Sequence, residues 1–283
     1  MNTAKKICLI TGATSGIGKA TAFELSSSNF ALVLVCRDAT RGETVAREIT
    51  KQTGNPDVEV LIADLSSQDS VREAAENFSR KHSSLNLLIN NAGIAGKNRT
   101  LSPDGIEMTF AVNHLAYFLM TNLLLDALKS GAPSRIINVS SEAHRNARFD
   151  FDNLQSEKQF SGFGAYCITK FCNLLFTYEL ARRLEGTGIT VNALHPGFLN
   201  TGIFREGNAL LKWIVRLTAK RPEKGARAIA HLAQSYELEN VTGKYFNGIR
   251  IVNSSPKSYD EEASKRLWEI SEKLTEKKLL QRL

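Results

Sequence analysis

Nothing in this 283-residue sequence reaches the ~18 uninterrupted apolar residues that a membrane-spanning helix needs. The amino-terminal MNTAKKICLITG passes from two lysines straight into a short strand-like run, too brief for the apolar core of a signal peptide, so a cytoplasmic chain is expected. Cysteine is scarce: Cys8, Cys36, Cys167 and Cys172 form no CxxC pair and stand in no His/Cys cluster with zinc spacing. They read as reduced thiols, and no metal site is expected. Neither sign of charge dominates. Lysine plus arginine number 36 against 29 acids, a net of +7, without the dense basic stripe of a nucleic-acid binder. There is no internal repeat, low-complexity tract or Pro/Gly-rich linker, so residues 1–283 are expected to form one domain. At 42% hydrophobic and 23% charged, the composition also excludes disorder.

What is present is alternation. Short apolar runs at Ile7–Ile10, Ala31–Cys36, Val58–Ile62, Leu85–Ile89, Arg135–Val139 and Ile189–Leu194 predict six strands, with Lys244–Asn247 a seventh. Amphipathic segments at Lys19–Ser28, Thr40–Gln52, Ser67–His82, Asp104–Lys129, Gly164–Glu185 and Pro222–Gln234 predict helices between them. Right-handed crossovers through such units give a doubly wound parallel sheet, an α/β Rossmann fold. Two segments, 142–161 and 198–221, break the pattern after strands, at the sheet end where ligands of such folds bind. A last amphipathic helix is expected over 259–283, around Ala263, Leu267, Ile270 and Leu274.

The first strand runs into Thr11-Gly12-Ala13-Thr14-Ser15-Gly16-Ile17-Gly18 and then a helix. Glycines let the backbone turn sharply and approach a pyrophosphate, which free N–H groups and the positive helix end then attract. Further along, Tyr166 and Lys170 are four apart on a helix, so both project from one face. A phenol has an ordinary pKa near 10, and a neighbouring ammonium is expected to lower it, making Tyr166 a proton donor for carbonyl reduction and an acceptor for alcohol oxidation. Ser141, at a strand terminus, can hydrogen-bond the substrate oxygen. His114, His144 and His195 are paired with no nucleophile and read as structural, and the GxSxG elbow of a serine hydrolase is absent.

The spacing GxxxGxG, with Asn90-Asn91-Ala92-Gly93 after the fourth strand, Asn113 in TFAVNHLA, Ser140-Ser141 in RIINVSS, Tyr166 to Lys170 and Pro196-Gly197, resembles the short-chain dehydrogenase/reductase family over essentially the whole chain. The phrases VCRD, AYCITK, FTYELARRL, HPG and VTGKYF are similar to those of retinol dehydrogenases and their relatives, which interconvert lipophilic alcohols and carbonyls. The resemblance implies a catalytic set of Asn113, Ser141, Tyr166 and Lys170. It puts the catalytic hydroxyl at Ser141 rather than Ser140, and has Asn113 hold a water linked to Lys170. It also implies that Asp64 and Leu65 frame the adenine, that Asn91, Ala92 and Gly93 line the adenosine side, and that Pro196, Gly197 and Thr201 approach the nicotinamide.

Aligned with NAD-selective relatives, Cys36 falls where their ribose-binding carboxylate stands, with Arg37 directly after it. A thiol does not repel a 2′-phosphate, and a guanidinium can bind it. NADP(H) is therefore the expected cofactor, with NAD(H) the alternative. Asp38 competes as a ribose ligand, but it also begins DATRGETVAREI and suits a helix N-cap.

Residues 205–227 hold seven basic and two acidic side chains, and within 209–220 Leu210, Leu211, Ile214 and Leu217 oppose Lys212, Arg216 and Lys220. Such a helix can pack on the domain, lie on an anionic membrane, or close over an apolar substrate. The expected partner is a small lipophilic carbonyl or alcohol, and no nucleic acid. An NAD-dependent dehydrogenase of a hydroxysteroid-like secondary alcohol, and a nucleotide-sensing protein that has lost catalysis, stand as alternatives. The oligomeric state is left open.

Overall fold

The computed structural model describes residues 5–197 and 222–276. Its centre is an eight-stranded sheet: β1 (Lys6–Thr11), β2 (Phe30–Cys36), β3 (Val58–Ile62), β4 (Leu87–Asn90), β5 (Ser134–Val139), β6 (Ile189–His195), β7 (Lys244–Asn247) and β8 (Arg250–Ile251). Their order is β3-β2-β1-β4-β5-β6-β7-β8, parallel throughout except for β7 and β8. The central strands are apolar on both faces because helices cover both sides. Helices α1 (Gly16–Ser26), α2 (Ala39–Thr53) and α8 (Pro222–Gln234) close one side, where Leu25, Ile49 and Ile229 meet Ile10, Leu34 and Ile89. On the other, α3 (Gln68–Lys81), α5 (Ala116–Leu123) and α7 (Gly162–Arg183) bring Phe78, Met120 and Phe176 against Leu9, Val33 and Ile136.

Local chemistry fixes the helix ends. Asp38 caps α2 by accepting from the Arg41 N–H at 3.0 Å, and Asp260 caps α9 (Glu261–Thr275) by accepting from Ala263 N–H at 3.0 Å. Helix α9 packs Leu267 and Trp268 on α7, and it is the part of the expected 259–283 helix that lies within the described residues. Segment 142–161 holds two short 3₁₀ turns, Glu142–Asn146 and Phe151–Asn153. Residues 198–221, with Thr201 and the basic 209–220 stretch, lie outside the described residues.

Two differences from the sequence reading matter. The expected 104–129 helix is broken into α4 (Met108–Phe110), a π-turn (Ala111–Leu115), α5, and α6 (Leu125–Ser130) after a non-helical Leu124. Strand β8 was not expected: two residues beyond the Gly248 turn carry too little pattern to read.

Candidate active site

The order of strands reverses between β1 and β4, and the carboxyl ends of β1, β4 and β5 open the crevice where doubly wound sheets bind ligands. On one side is the glycine turn. Gly12 adopts φ +69°, and a Cβ there would stand 2.9 Å from Ala92 Cα. A Cβ at Gly18 would meet the Gly12 carbonyl oxygen at 2.3 Å, so α1 approaches the turn more closely than any side chain allows. Ser15 sits at the N-cap of α1 without capping it through its side chain, and no acid lies in the first turn. The first N–H groups of α1 thus have no side-chain cap, with Thr14, Ser15, Gly16 and Ile17 around them. These features fit a diphosphate.

The turn after β4 is fastened to this cradle. Asn91 N–H and Ala92 N–H donate to Thr11 Oγ1 at 2.9 and 3.1 Å, and Asn91 Nδ2 donates to the Thr11 carbonyl at 2.8 Å. Deeper, Asn90 Nδ2 donates to Asn138 Oδ1 at 2.9 Å and to Thr121 Oγ1 at 3.0 Å, while Asn138 Nδ2 donates to Thr177 Oγ1 at 3.0 Å. This buried amide chain ties β4 and β5 to α5 and α7. At the carboxyl end of β2, Cys36 is buried and Arg37 is exposed. The Asp38 carboxylate is engaged as the α2 cap. Asp64 Oδ1 accepts from Ser66 N–H and Oγ at 2.9 and 2.8 Å, and Leu65 packs against the core. Pro196 and Gly197 leave the end of β6, Gly197 with φ +99°.

The catalytic candidates converge from three elements. Tyr166 and Lys170 lie on α7, with Lys170 Nζ 5.6 Å above the centre of the Tyr166 ring. Ser141 follows β5; its Oγ accepts from Ala143 N–H at 3.2 Å, and its side chain is hydrogen-bonded to Tyr166. Ser140 is used differently: buried, it donates through Oγ to the Lys170 carbonyl at 2.8 Å. Asn113 sits inside the π-turn, where the Ala116 N–H reaches back to Ala111 O and aims the amide inward. Its Nδ2 donates to Ile94 O at 2.9 Å and Thr169 Oγ1 at 3.1 Å, and its Oδ1 accepts from Ile94 N–H at 2.8 Å. Both amide hydrogens are thus committed, leaving one Oδ1 lone pair for a water. A Cβ at Gly93 would be 3.6 Å from both Asn113 Oδ1 and Lys170 Nζ, so these atoms border one small space.

Burial governs the protonation states. The Tyr166 phenol is pushed up to about 12 by desolvation, against the Ser141 hydrogen bond, which lowers it. Desolvation pulls Lys170 down to about 7. The Tyr166 pKa is therefore raised where a lowering by its ammonium neighbour was expected: loss of water raises it, and the lowering influence is the Ser141 hydrogen bond.

Two neighbours of the set carry no sequence motif. His144 accepts from Ser255 N–H through Nε2 at 3.0 Å, so Nδ1 bears the hydrogen and donates to the Ser141 carbonyl at 2.6 Å. Its position three residues after Ser141 was the available signal. Tyr117, one turn after Asn113 in an otherwise apolar stretch, has no assigned role in the sequence, yet its ring lies 5.6 Å from Lys170 Nζ. His114 and His195 are buried and held to about 4 by desolvation; His114 Nε2 pairs with Ser271 Oγ at 2.9 Å, away from the set.

A model of the short chain dehydrogenase family matches residues 6–210. Human retinol dehydrogenase 11 is 42% identical over 268 residues, 94% of this chain and 84% of that protein. Human retinol dehydrogenase 13 is 43% identical over 278 residues, covering 95% and 84%. Among solved structures, an uncharacterised protein from Mycobacterium paratuberculosis superposes with a TM-score of 0.79 at 32% identity, over 96% of this chain and 94% of its own. A Burkholderia cenocepacia short chain dehydrogenase in complex with NADP gives 0.69 at 25% identity, over 86% and 96%. The Brucella melitensis 3-ketoacyl-(acyl-carrier-protein) reductase complexed with NADH gives 0.68 at 26% identity, over the same shares.

Proposed function

The chain belongs to the short-chain dehydrogenase family, and on that premise we propose that it is an NADP(H)-dependent oxidoreductase interconverting a lipophilic aldehyde or ketone and the matching alcohol. The observation that carries this reading is the meeting of the Tyr166 phenol with the Ser141 side chain and Lys170 Nζ beside the glycine cradle. A nicotinamide bound there supplies or accepts the hydride.

Everything else is done by side chains. Ser141 hydrogen-bonds the substrate oxygen and steadies the charge that develops on it. Tyr166, a neutral phenol at physiological pH because burial holds it near 12, gives its proton to that oxygen in reduction and recovers it in oxidation. Lys170 biases the phenol towards proton release whenever it is charged. Asn113 holds a relay water with its remaining Oδ1 lone pair.

The preference for NADP(H) is supported by the exposed Arg37, the uncharged Cys36 before it, and the use of the Asp38 carboxylate as a helix cap. Likeness to proteins named retinol dehydrogenases supports a lipophilic substrate, as does the exposed Phe163 one helical turn before Tyr166. The chain is also proposed to work in the cytoplasm. Among the described residues no helix is long and apolar enough to cross a membrane. The test is turnover of a panel of aldehydes, ketones and quinones, retinal included, followed by NADPH and NADH absorbance. Equal kcat/KM for the two cofactors would remove the NADP(H) assignment, and absence of turnover on every carbonyl would remove the activity.

A further inference from the structure

The proposed chemistry leaves one aromatic side chain at the centre of the site without a role. Tyr117 is 1% exposed and lies one turn beyond Asn113. Its hydroxyl donates to the Ala92 carbonyl at 2.7 Å, so the ring hangs from the turn after β4 and cannot swing away. Lys170 Nζ stands 5.6 Å from the centre of this ring and 5.6 Å from the centre of the Tyr166 ring. Among the described residues its one hydrogen bond is to the Val139 carbonyl at 2.8 Å. A buried ammonium with a single acceptor meets the negative faces of two aromatic rings where water would otherwise be.

We infer that Tyr117 is a positioning residue for Lys170: its ring, anchored on Ala92, forms the second jaw of an aromatic clamp that holds the ammonium in place and favours its charged form. The inference rests on the oxidoreductase reading only for its purpose, since a charged Lys170 is what draws the proton from Tyr166. The groups facing Lys170 are Tyr166 on its own helix, Tyr117 on α5, Asn113 in the π-turn before it, the Val139 carbonyl from β5 and the Gly93 backbone. No carboxylate among the described residues compensates the burial that pulls its pKa down. Beyond the Val139 carbonyl, the π faces are the compensation available.

The clamp is tested by titrating Lys170 directly, in protein carrying heavy-isotope lysine at Cε and with the resonance assigned by its loss in Lys170→Met. A desolvated cation–π contact is strong enough to move such a midpoint by about one pH unit. In Tyr117→Leu the midpoint falls by about that much, whereas Tyr117→Phe, which keeps the ring, holds most of the wild-type value. The alkaline limb of the kcat profile moves down by the same amount. An identical Lys170 midpoint in wild type and Tyr117→Leu overturns the inference. Should Tyr117→Leu not fold, Tyr117→Met removes the π face with a longer, unbranched side chain that adapts to the gap and is read the same way. The titration needs no turnover, so a chain inactive on every carbonyl would cost the proposed function while leaving the clamp to its own measurement.

Discussion

Replacing Lys170 by methionine should stabilise the cofactor-free protein near neutral pH while abolishing turnover. Lys170 is buried, and desolvation lowers its pKa from 10.5 to about 7. Between pH 7 and 10.5 the unfolded chain binds this proton and the folded chain does not, so stability rises with pH across that window and is flat below it. At 1.36 kcal/mol per pKa unit, the lysine costs the folded state about 4 kcal/mol at pH 7 and about 2 kcal/mol at pH 9. Methionine carries no such cost. Its lost Val139 hydrogen bond and altered packing add a constant that does not change with pH. The assay is equilibrium urea unfolding of wild type and Lys170→Met at both pH values. The stability gap between them should change by about 2 kcal/mol, closing towards the alkaline side. His114 and His195 titrate between about 4 and 6.5, below the window, and the Tyr166 contribution lies between 10 and about 12, above it. Unfolding curves whose separation is the same at pH 7 and pH 9 would refute the assignment of a desolvated lysine with a lowered pKa.

Tyr166→Phe removes the proton donor, and kcat should drop by about 10²- to 10⁴-fold with NADPH affinity nearly intact by fluorescence titration; retained turnover sinks the mechanism. Arg37→Glu should lower the ratio of kcat/KM for NADPH over NADH by about ten- to a hundredfold, the worth of a charge-assisted hydrogen bond, and an unchanged ratio would show that Arg37 does not meet the 2′-phosphate. His144→Leu frees the Ser141 carbonyl, and kcat should fall by about tenfold, equivalent to ~1.4 kcal/mol, with KM little altered; equal loss in a distant core variant of matched stability would reduce His144 to packing. Trp268→Ala deletes a buried indole that lies edge-on to Phe118 at 4.9 Å and beneath the Arg183 guanidinium at 4.1 Å. It should cost about 3–5 kcal/mol in urea unfolding, and a loss below about 1 kcal/mol would mean α9 does not seal this face.

The sheet was legible because parallel strands buried on both faces read as continuous apolar runs, and the seven expected strands match β1 to β7 to within a few residues at their ends. The break in the 104–129 helix was not legible, since Leu124 carries no proline or glycine to announce it. Asn113 gave a partial signal as an amide in an apolar helix, but the π-turn that aims it is a property of the packed backbone. Motif spacing brought Tyr166 and Lys170 to one face, as α7 shows. What spacing could not weigh was burial. A neighbouring ammonium is visible in a sequence, whereas the loss of water that raises the Tyr166 pKa and pulls the Lys170 pKa down emerges only from the fold. Tyr117 escaped for the same reason, because a tyrosine in Leu-rich surroundings is indistinguishable from core until its neighbours are known.

The amide chain running Thr121, Asn90, Asn138, Thr177 has an evolutionary consequence. It welds the floor of the crevice, so the spacing between Tyr166 and the glycine turn is inherited from interior strands and helices and not from the surface. Segment 142–161, outside that framework, is thereby released to drift in length and greasiness without disturbing the floor beneath.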